Sequence, residues 1–270
     1  MNFEQSPVNQ PVPDSLPAAA RGSHKHVLDW TSRPDFLREF SELLATPEVD
    51  VVGARYMPCG YGKPAEARLE SFGPDVLPGH PAWGRVADWW LRHPKGANTP
   101  NWDIAVTARI EGRPGLVLVE AKANVPELSR AGKPTSPGAS KRSQQNHEQI
   151  GHAIDQANTG WRSVAPEARL TRDTHYQLAN RLAFAWKLAS DGVPIVLLYL
   201  GFTGDDGIAD AGEPLRDDSH WRQLFREHLQ ELCVDGCLDR RVLFGDVPVR
   251  VICRSRPVLS VSPSRHFRRP

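Results

Sequence analysis

The order of apolar patterns along this chain predicts an α/β fold, a mixed central β-sheet flanked by α-helices in three layers. Two short runs, Leu116-Val-Leu-Val119 and Ile195-Val-Leu-Leu-Tyr-Leu200, are apolar at consecutive positions, as strands buried on both faces are. Helical spacings alternate with them, and strands alternating with helices assemble into a sheet covered by helices. A third pattern is Trp102-Asp-Ile-Ala-Val-Thr-Ala-Arg-Ile110, followed by the turn formers Glu111-Gly-Arg-Pro-Gly115. It predicts an antiparallel hairpin that leads into the first apolar run.

Taken in chain order, a helix over residues 34–45, a strand over 49–56, a short helix over 64–72 and a Trp-rich helix over 82–93 precede the hairpin. Beyond Lys122 the spacing predicts a helix near 143–158 and a stronger one over 175–190, with Leu178, Leu182, Trp186 and Ala189 on one face. The run from Pro194 to Leu200 completes the core sheet, and a helix near 219–232 and a strand near 247–253 are additions to it. No repeat is apparent, so the simplest partition is one domain over 27–260 with a basic loop insertion near 129–146. A flexible Pro-rich tail over 1–26 precedes that domain, and a basic tail over 261–270 follows it.

Composition narrows the function classes. At 270 residues the chain has ample length for a core, and its formal net charge of +1 argues against a protein that coats nucleic acid indiscriminately. Charge is unevenly placed: Ser129 to Asn146 holds Arg130, Lys133, Lys141 and Arg142 with no acid, and its Gly, Pro and Ser content predicts a loop able to wrap a substrate. Four cysteines do not make a disulfide framework, and all four read as buried free thiols. His147 and His152, five apart, suit no zinc site. Neither a signal peptide nor an apolar stretch long enough to span a bilayer is visible, which predicts a cytoplasmic protein without a membrane partner. Phosphate-loop, GxSxG, HExxH and dinucleotide fingerprints are absent.

The chemistry concentrates where the run Leu116–Val119 turns polar, at Glu120-Ala-Lys122. Side chains alternate along a strand, so Glu120 and Lys122 share a face, about 7 Å apart, while Ala121 points the other way and leaves its carbonyl available. Asp103 opens the preceding strand. With the turn centred between Gly112 and Arg113, Asp103 faces Lys122 and lies diagonal to Glu120; centred on Arg113, it falls on the opposite face and the site fails.

An Asp at the start of one strand, followed after a turn by Glu-x-Lys on the next, resembles the PD-(D/E)xK nuclease superfamily, with the preceding proline displaced to Pro100. Gly62-Lys-Pro-Ala-Glu66 resembles the GxxxE that opens the first core helix of many members. Tyr176-Gln-Leu-Ala-Asn-Arg181 resembles their glutamine motif on the helix after the lysine strand, departing from QxxxY by placing Arg181 where the tyrosine stands. The resemblance spans roughly Gly62 to Phe202, and its order and spacing are more specific than any one motif.

It implies a restriction-endonuclease-like core and a metal-dependent nuclease, a DNA endonuclease of restriction, defence or repair type. Mg²⁺, with Mn²⁺ as substitute, would be held by Asp103, Glu120, the Ala121 carbonyl and Glu66, which are hard oxygen donors. Lys122 would hold or deprotonate the attacking water, and Gln177 and Arg181, four apart on a helix, would orient it or grip a phosphate. Arg130, Lys133, Lys141 and Arg142 would contact nucleic acid. Many members of this fold pair as homodimers or with a partner subunit, although no interface is legible here.

Each residue also has a plainer reading. Glu120 and Lys122 fit an exposed ion pair at a strand end, worth under about 1 kcal/mol. Asp103 fits a strand-entry cap, and Glu66 and Gln177 fit exposed polar positions. The corresponding alternatives are an inactive nucleic-acid-binding or scaffold protein that keeps the nuclease fold, and an unrelated α/β interaction domain.

Overall fold

A computed structural model describes residues 21–76, 80–95 and 97–258. The chain opens with α1 (Gly22–Thr31) and α2 (Phe36–Leu44), then the short strands β1 (Val49–Asp50), β2 (Tyr56–Met57) and β3 (Ala67–Arg68). Helices α3 (Leu69–Val76) and α4 (Ala82–Trp90) follow, then β4 (Asn101–Trp102), β5 (Ile104–Ile110) and β6 (Arg113–Lys122). Next come α5 (Lys141–Trp161), α6 (Tyr176–Ser190), β7 (Ile195–Thr203), α7 (Asp218–Gln230), β8 (Arg241–Phe244) and β9 (Val247–Pro257).

The main sheet is mixed, with order β1-β5-β6-β7-β9-β8 and β2 also paired to β5. Within it β6, β7 and β9 are parallel, and β5 and β8 run antiparallel to their neighbours. Two cores sort the side chains by face. Val117, Val119 and Ala121 of β6 pack with Val27, Trp30, Phe36 and Phe40 of α1 and α2. Leu116 and Leu118 pack with residues of α3 to α7 on the other side. Strand alternation therefore sends Glu120 and Lys122 toward α6, in the row begun by Leu116 and Leu118.

Helix α6 is buried almost all round, from Leu178 to Ala185, which explains why a one-faced reading of it falls short; Trp186 is only half-buried. Gly201 of β7 lies opposite Lys122, and a Cβ there would stand 2.6 Å from Trp221 Cγ, so glycine lets α7 close over the strand end.

The structure differs from expectation at several places. Residues 22–26, expected in the tail, belong to α1, because His26, Val27, Leu28 and Trp30 are buried and His26 Nε2 lies 2.5 Å from Asp205 Oδ2. The rest of the expected Pro-rich tail, residues 1–20, and the expected basic tail over 261–270 lie outside the described residues. The loop near 129–146 ends early, since Lys141 and Arg142 start α5 behind the Ser140 cap. The strand over 49–56 is interrupted between β1 and β2, and β8 was not anticipated. Cys59 is exposed and Cys233 half-buried; only Cys237 and Cys253 are buried. No helix among the described residues is long and apolar enough to cross a membrane.

The contact between α6 and α7 carries a pH-sensitive element. His228 is 4 % exposed, its ring centroid 4.9 Å from that of His175, and burial first and His175 second push its pKa down to about 4 against the partial opposition of Glu231. Because its folded pKa lies below the unfolded value, His228 contributes stability that is complete above pH ~6.5 and drains away as pH falls toward 4, roughly 3 kcal/mol in all. In urea titrations from pH 7 to 4, His228→Leu is expected to lose less stability than the wild type over that window; equal losses would contradict this origin.

Candidate active site

The hairpin sets the register of the site. Glu111 and Gly112, with φ of 51° and 76°, form the two-residue turn between Ile110 and Arg113. The turn is thus centred one residue earlier than the favoured expectation. Pro114 and Gly115 belong to β6, where Pro114 precedes the first β7 pair, Leu116 with Ile195, and forfeits no ladder bond. Ile104 pairs with Val119, so the next step outward sets Asp103 opposite Glu120 instead of Lys122. Both carboxylates still share a face with Lys122.

Asp103 Oδ2 accepts a 2.7 Å hydrogen bond from the Ala121 amide. A strand residue's N–H and C=O leave on the same side, and β5 has ended by this point, so the Ala121 carbonyl opens into the space beside Asp103.

Glu66 arrives by a route that differs from the expected one. It opens no helix; it precedes β3, where Ala67 pairs with Trp102 of β4, and continuing that ladder sets Glu66 opposite Asp103. Helix α3 starts only at Leu69. The expected short helix is therefore displaced by a two-residue ladder, and the same ladder carries the acid to the site.

Glu120 is 2 % exposed and both its oxygens are held: Oε1 by Lys122 Nζ at 2.6 Å and Oε2 by Arg181 Nε at 2.5 Å. The Arg181 guanidinium lies 4.5 Å from the centre of the Trp102 ring. Burial alone would raise the Glu120 pKa, but Arg181 and Lys122 hold it below its ordinary value. Asp103 goes the other way: burial, then the neighbouring Glu120 charge, lift its pKa, only partly offset by Lys122 and the Ala121 amide.

These groups line a cleft of about 720 Å³ at the C-terminal end of β6, with Glu66, Asp103, Glu120, the Ala121 backbone, Lys122, Gln177 and Arg181 on its walls. Glu127, which sequence reasoning missed, joins them. Its signal was local: Asn124 Oδ1 accepts from Glu127 N–H and Glu127 Oε2 accepts from Ala123 N–H, a reciprocal cap that folds the acid back over the end of β6.

Of the expected basic residues only Arg181 lines the cleft, buried as the partner of Glu120 through its Nε. Arg130 pairs with Glu231 at 2.6 Å, Arg142 donates to the Lys95 carbonyl, and neither they nor Lys141 line the cleft. Lys133 stands over the Tyr176 ring at 4.9 Å beside a neighbouring cavity.

Four carboxylates against two cations leave the cleft wall acidic, and Asp103 is short of positive charge. That donor set fits a hard divalent cation. Among the described residues no three His, Cys, Asp or Glu side chains already stand as a metal-ligating group, in keeping with Lys122 and Arg181 taking both oxygens of Glu120.

Removing one partner of a buried pair strands the other's charge, so Arg181→Met is expected to cost about 3–5 kcal/mol in urea unfolding. The double variant Arg181→Met/Glu120→Gln should recover a large part of that loss. A single-variant cost under about 1 kcal/mol would show that Glu120 does not depend on Arg181.

Compared with known proteins, the chain matches no protein-family model, no curated protein and no solved structure.

Proposed function

We propose that this protein is a metal-dependent nuclease that hydrolyses phosphodiester bonds in DNA, with a centre of the PD-(D/E)xK type. The observation that carries the reading is the convergence of Asp103, Glu120 and Lys122 on one acidic cleft, with the Ala121 backbone between them and Glu66 opposite. Asp103, Glu120, the Ala121 carbonyl and Glu66 are the groups that would hold Mg²⁺ or Mn²⁺. When bound, the metal supplies Lewis-acid polarisation of the phosphate and a bound water of lowered pKa.

The protein's own groups set the rest. Lys122 holds the attacking water and offsets negative charge developing on the phosphoryl oxygens. Arg181 is a positioning residue that fixes the Glu120 carboxylate. Gln177, half-buried on the first turn of α6, is placed to orient water or phosphate. The deep seat of Glu120 and Lys122 keeps these interactions in a poorly screened environment, where they are worth more than at a surface.

A second reading, a nucleic-acid-binding or scaffold protein without catalysis, is favoured by one feature: Lys122 and Arg181 already satisfy both oxygens of Glu120.

A cleavage assay on plasmid and single-stranded DNA with Mg²⁺ or Mn²⁺ separates the two. Wild type is expected to cut, chelation to stop it, and Lys122→Ala and Asp103→Asn each to lower the rate by roughly 100-fold or more at matched folding. A well-folded wild type that cuts none of these substrates would sink the catalytic reading. Cutting that survives both substitutions would remove these residues from the centre.

A further inference from the structure

A second cavity, of about 350 Å³, adjoins the acidic cleft and shares Asn98, Thr99, Tyr176, Gln177 and Arg181 with it. Its chemistry is the reverse of its neighbour's. No carboxylate lines it, and its charged residues are Lys133 and Arg181. Its apolar surface comes from Trp90, Ile150 and Tyr176, and its size falls within the range of small-molecule sites.

Its polar wall is incompletely satisfied. Thr99 Oγ1, Asn180 Oδ1 and Arg181 Nη1 belong to side chains at least nine-tenths buried and lack hydrogen-bond partners. Buried polar atoms are rarely left without partners, so three of them around one cavity point to an occupant that supplies the missing donors and acceptors. That occupant is flat and partly apolar, to match Tyr176 and Trp90. It presents both a donor and an acceptor, to match Asn180 Oδ1 and Arg181 Nη1. It is joined to an anion, to match Lys133. A nucleobase on its phosphate backbone meets all three demands, since every base carries a stacking face and an edge with adjacent donor and acceptor.

We propose that this cavity receives one unstacked nucleobase of a single-stranded substrate, next to the phosphate presented to Asp103, Glu120 and Lys122. The assignment rests on the nuclease reading for where the strand lies. It commits that reading to single strands, because a base held in a duplex stack cannot enter a side cavity without paying to unstack. The recessed position of Glu120 and Lys122, 2 % and 5 % exposed, suits a thin strand in the same way.

The test is a binding measurement that needs no cutting. Fluorescence anisotropy of the full chain in EDTA compares a short labelled oligothymidylate, an abasic strand of equal length, and a duplex of that oligothymidylate. The base-bearing strand is expected to bind about tenfold more tightly than the abasic strand, and more tightly than the duplex. Tyr176→Ala and Asn180→Ala should each collapse the base-to-abasic ratio, a readout that misfolding alone would not move selectively. A 2-aminopurine placed in the wild-type strand should change its fluorescence on binding, with no substitution in the protein. Equal affinity for base-bearing and abasic strands, no binding to either, or a preference for duplex would overturn the proposal. Base-dependent binding without cleavage would keep the cavity's role and discard hydrolysis; cleavage of duplex without base dependence would do the opposite.

Discussion

A carboxylate as deeply buried as Glu120 loses its hydration, and the loss amounts to several kcal/mol unless the protein replaces it with charge and hydrogen bonds. Lys122 from the same strand and Arg181 from α6 make that replacement, one for each oxygen. Much of the surrounding architecture follows from it. Arg181 reaches across because α6 packs over the neighbouring strands β7 and β9, on the side of the sheet where Leu116 and Leu118 lie. Trp102 supplies a ring beneath the guanidinium, which ties β4 to the same point. Gly201 lets Trp221 close the end of β7 beside Lys122.

The sheet explains why these polar groups gather here. Leu116 and Leu118 extend a hydrophobic row that would ordinarily continue to the end of the strand, yet β6 runs past Ile104, the first residue of antiparallel β5, and the backbone groups on that side lose their ladder partners. Asp103 takes the Ala121 amide that has lost its partner. The Ala121 carbonyl then faces the cleft, as open α/β sheets commonly arrange ligand sites at the carboxyl ends of their strands.

Much of this was legible in the sequence, and the gaps have physical causes. Glu120, Lys122 and Asp103 could be placed on one face because alternation is a property of the backbone and the hairpin is local. The register was less accessible: it depended on Glu111 adopting a left-handed conformation, where its carboxylate pairs with Arg241, a residue 130 positions away. Glu66 was expected on a helix because Pro64 and the spacing to Phe72 resemble a helix start, while the pairing of Ala67 with Trp102 is tertiary. Arg181 was expected to orient water or grip a phosphate, and charge is exposed by default. Only the partner across the fold, Glu120, reverses that default. Glu127 lay hidden in a turn: its cap with Asn124 is local, but what it faces is set by the tertiary fold.

On the proposed reading, the opposed chemistry of two adjoining cavities would give a single-stranded substrate its direction. A phosphate meets repulsion from the four carboxylates of the first cavity unless positive charge accompanies it, whereas the second offers Lys133 and no acid at all. A strand held through its base in the second cavity would bring its phosphate to the first at high effective concentration, and the binding energy of the base would offset the electrostatic cost of approach. Arg181 stands on the wall between, its Nε bound to Glu120 and its Nη1 unclaimed, so that the residue that stabilises the buried carboxylate also borders the place where the neighbouring base would lie.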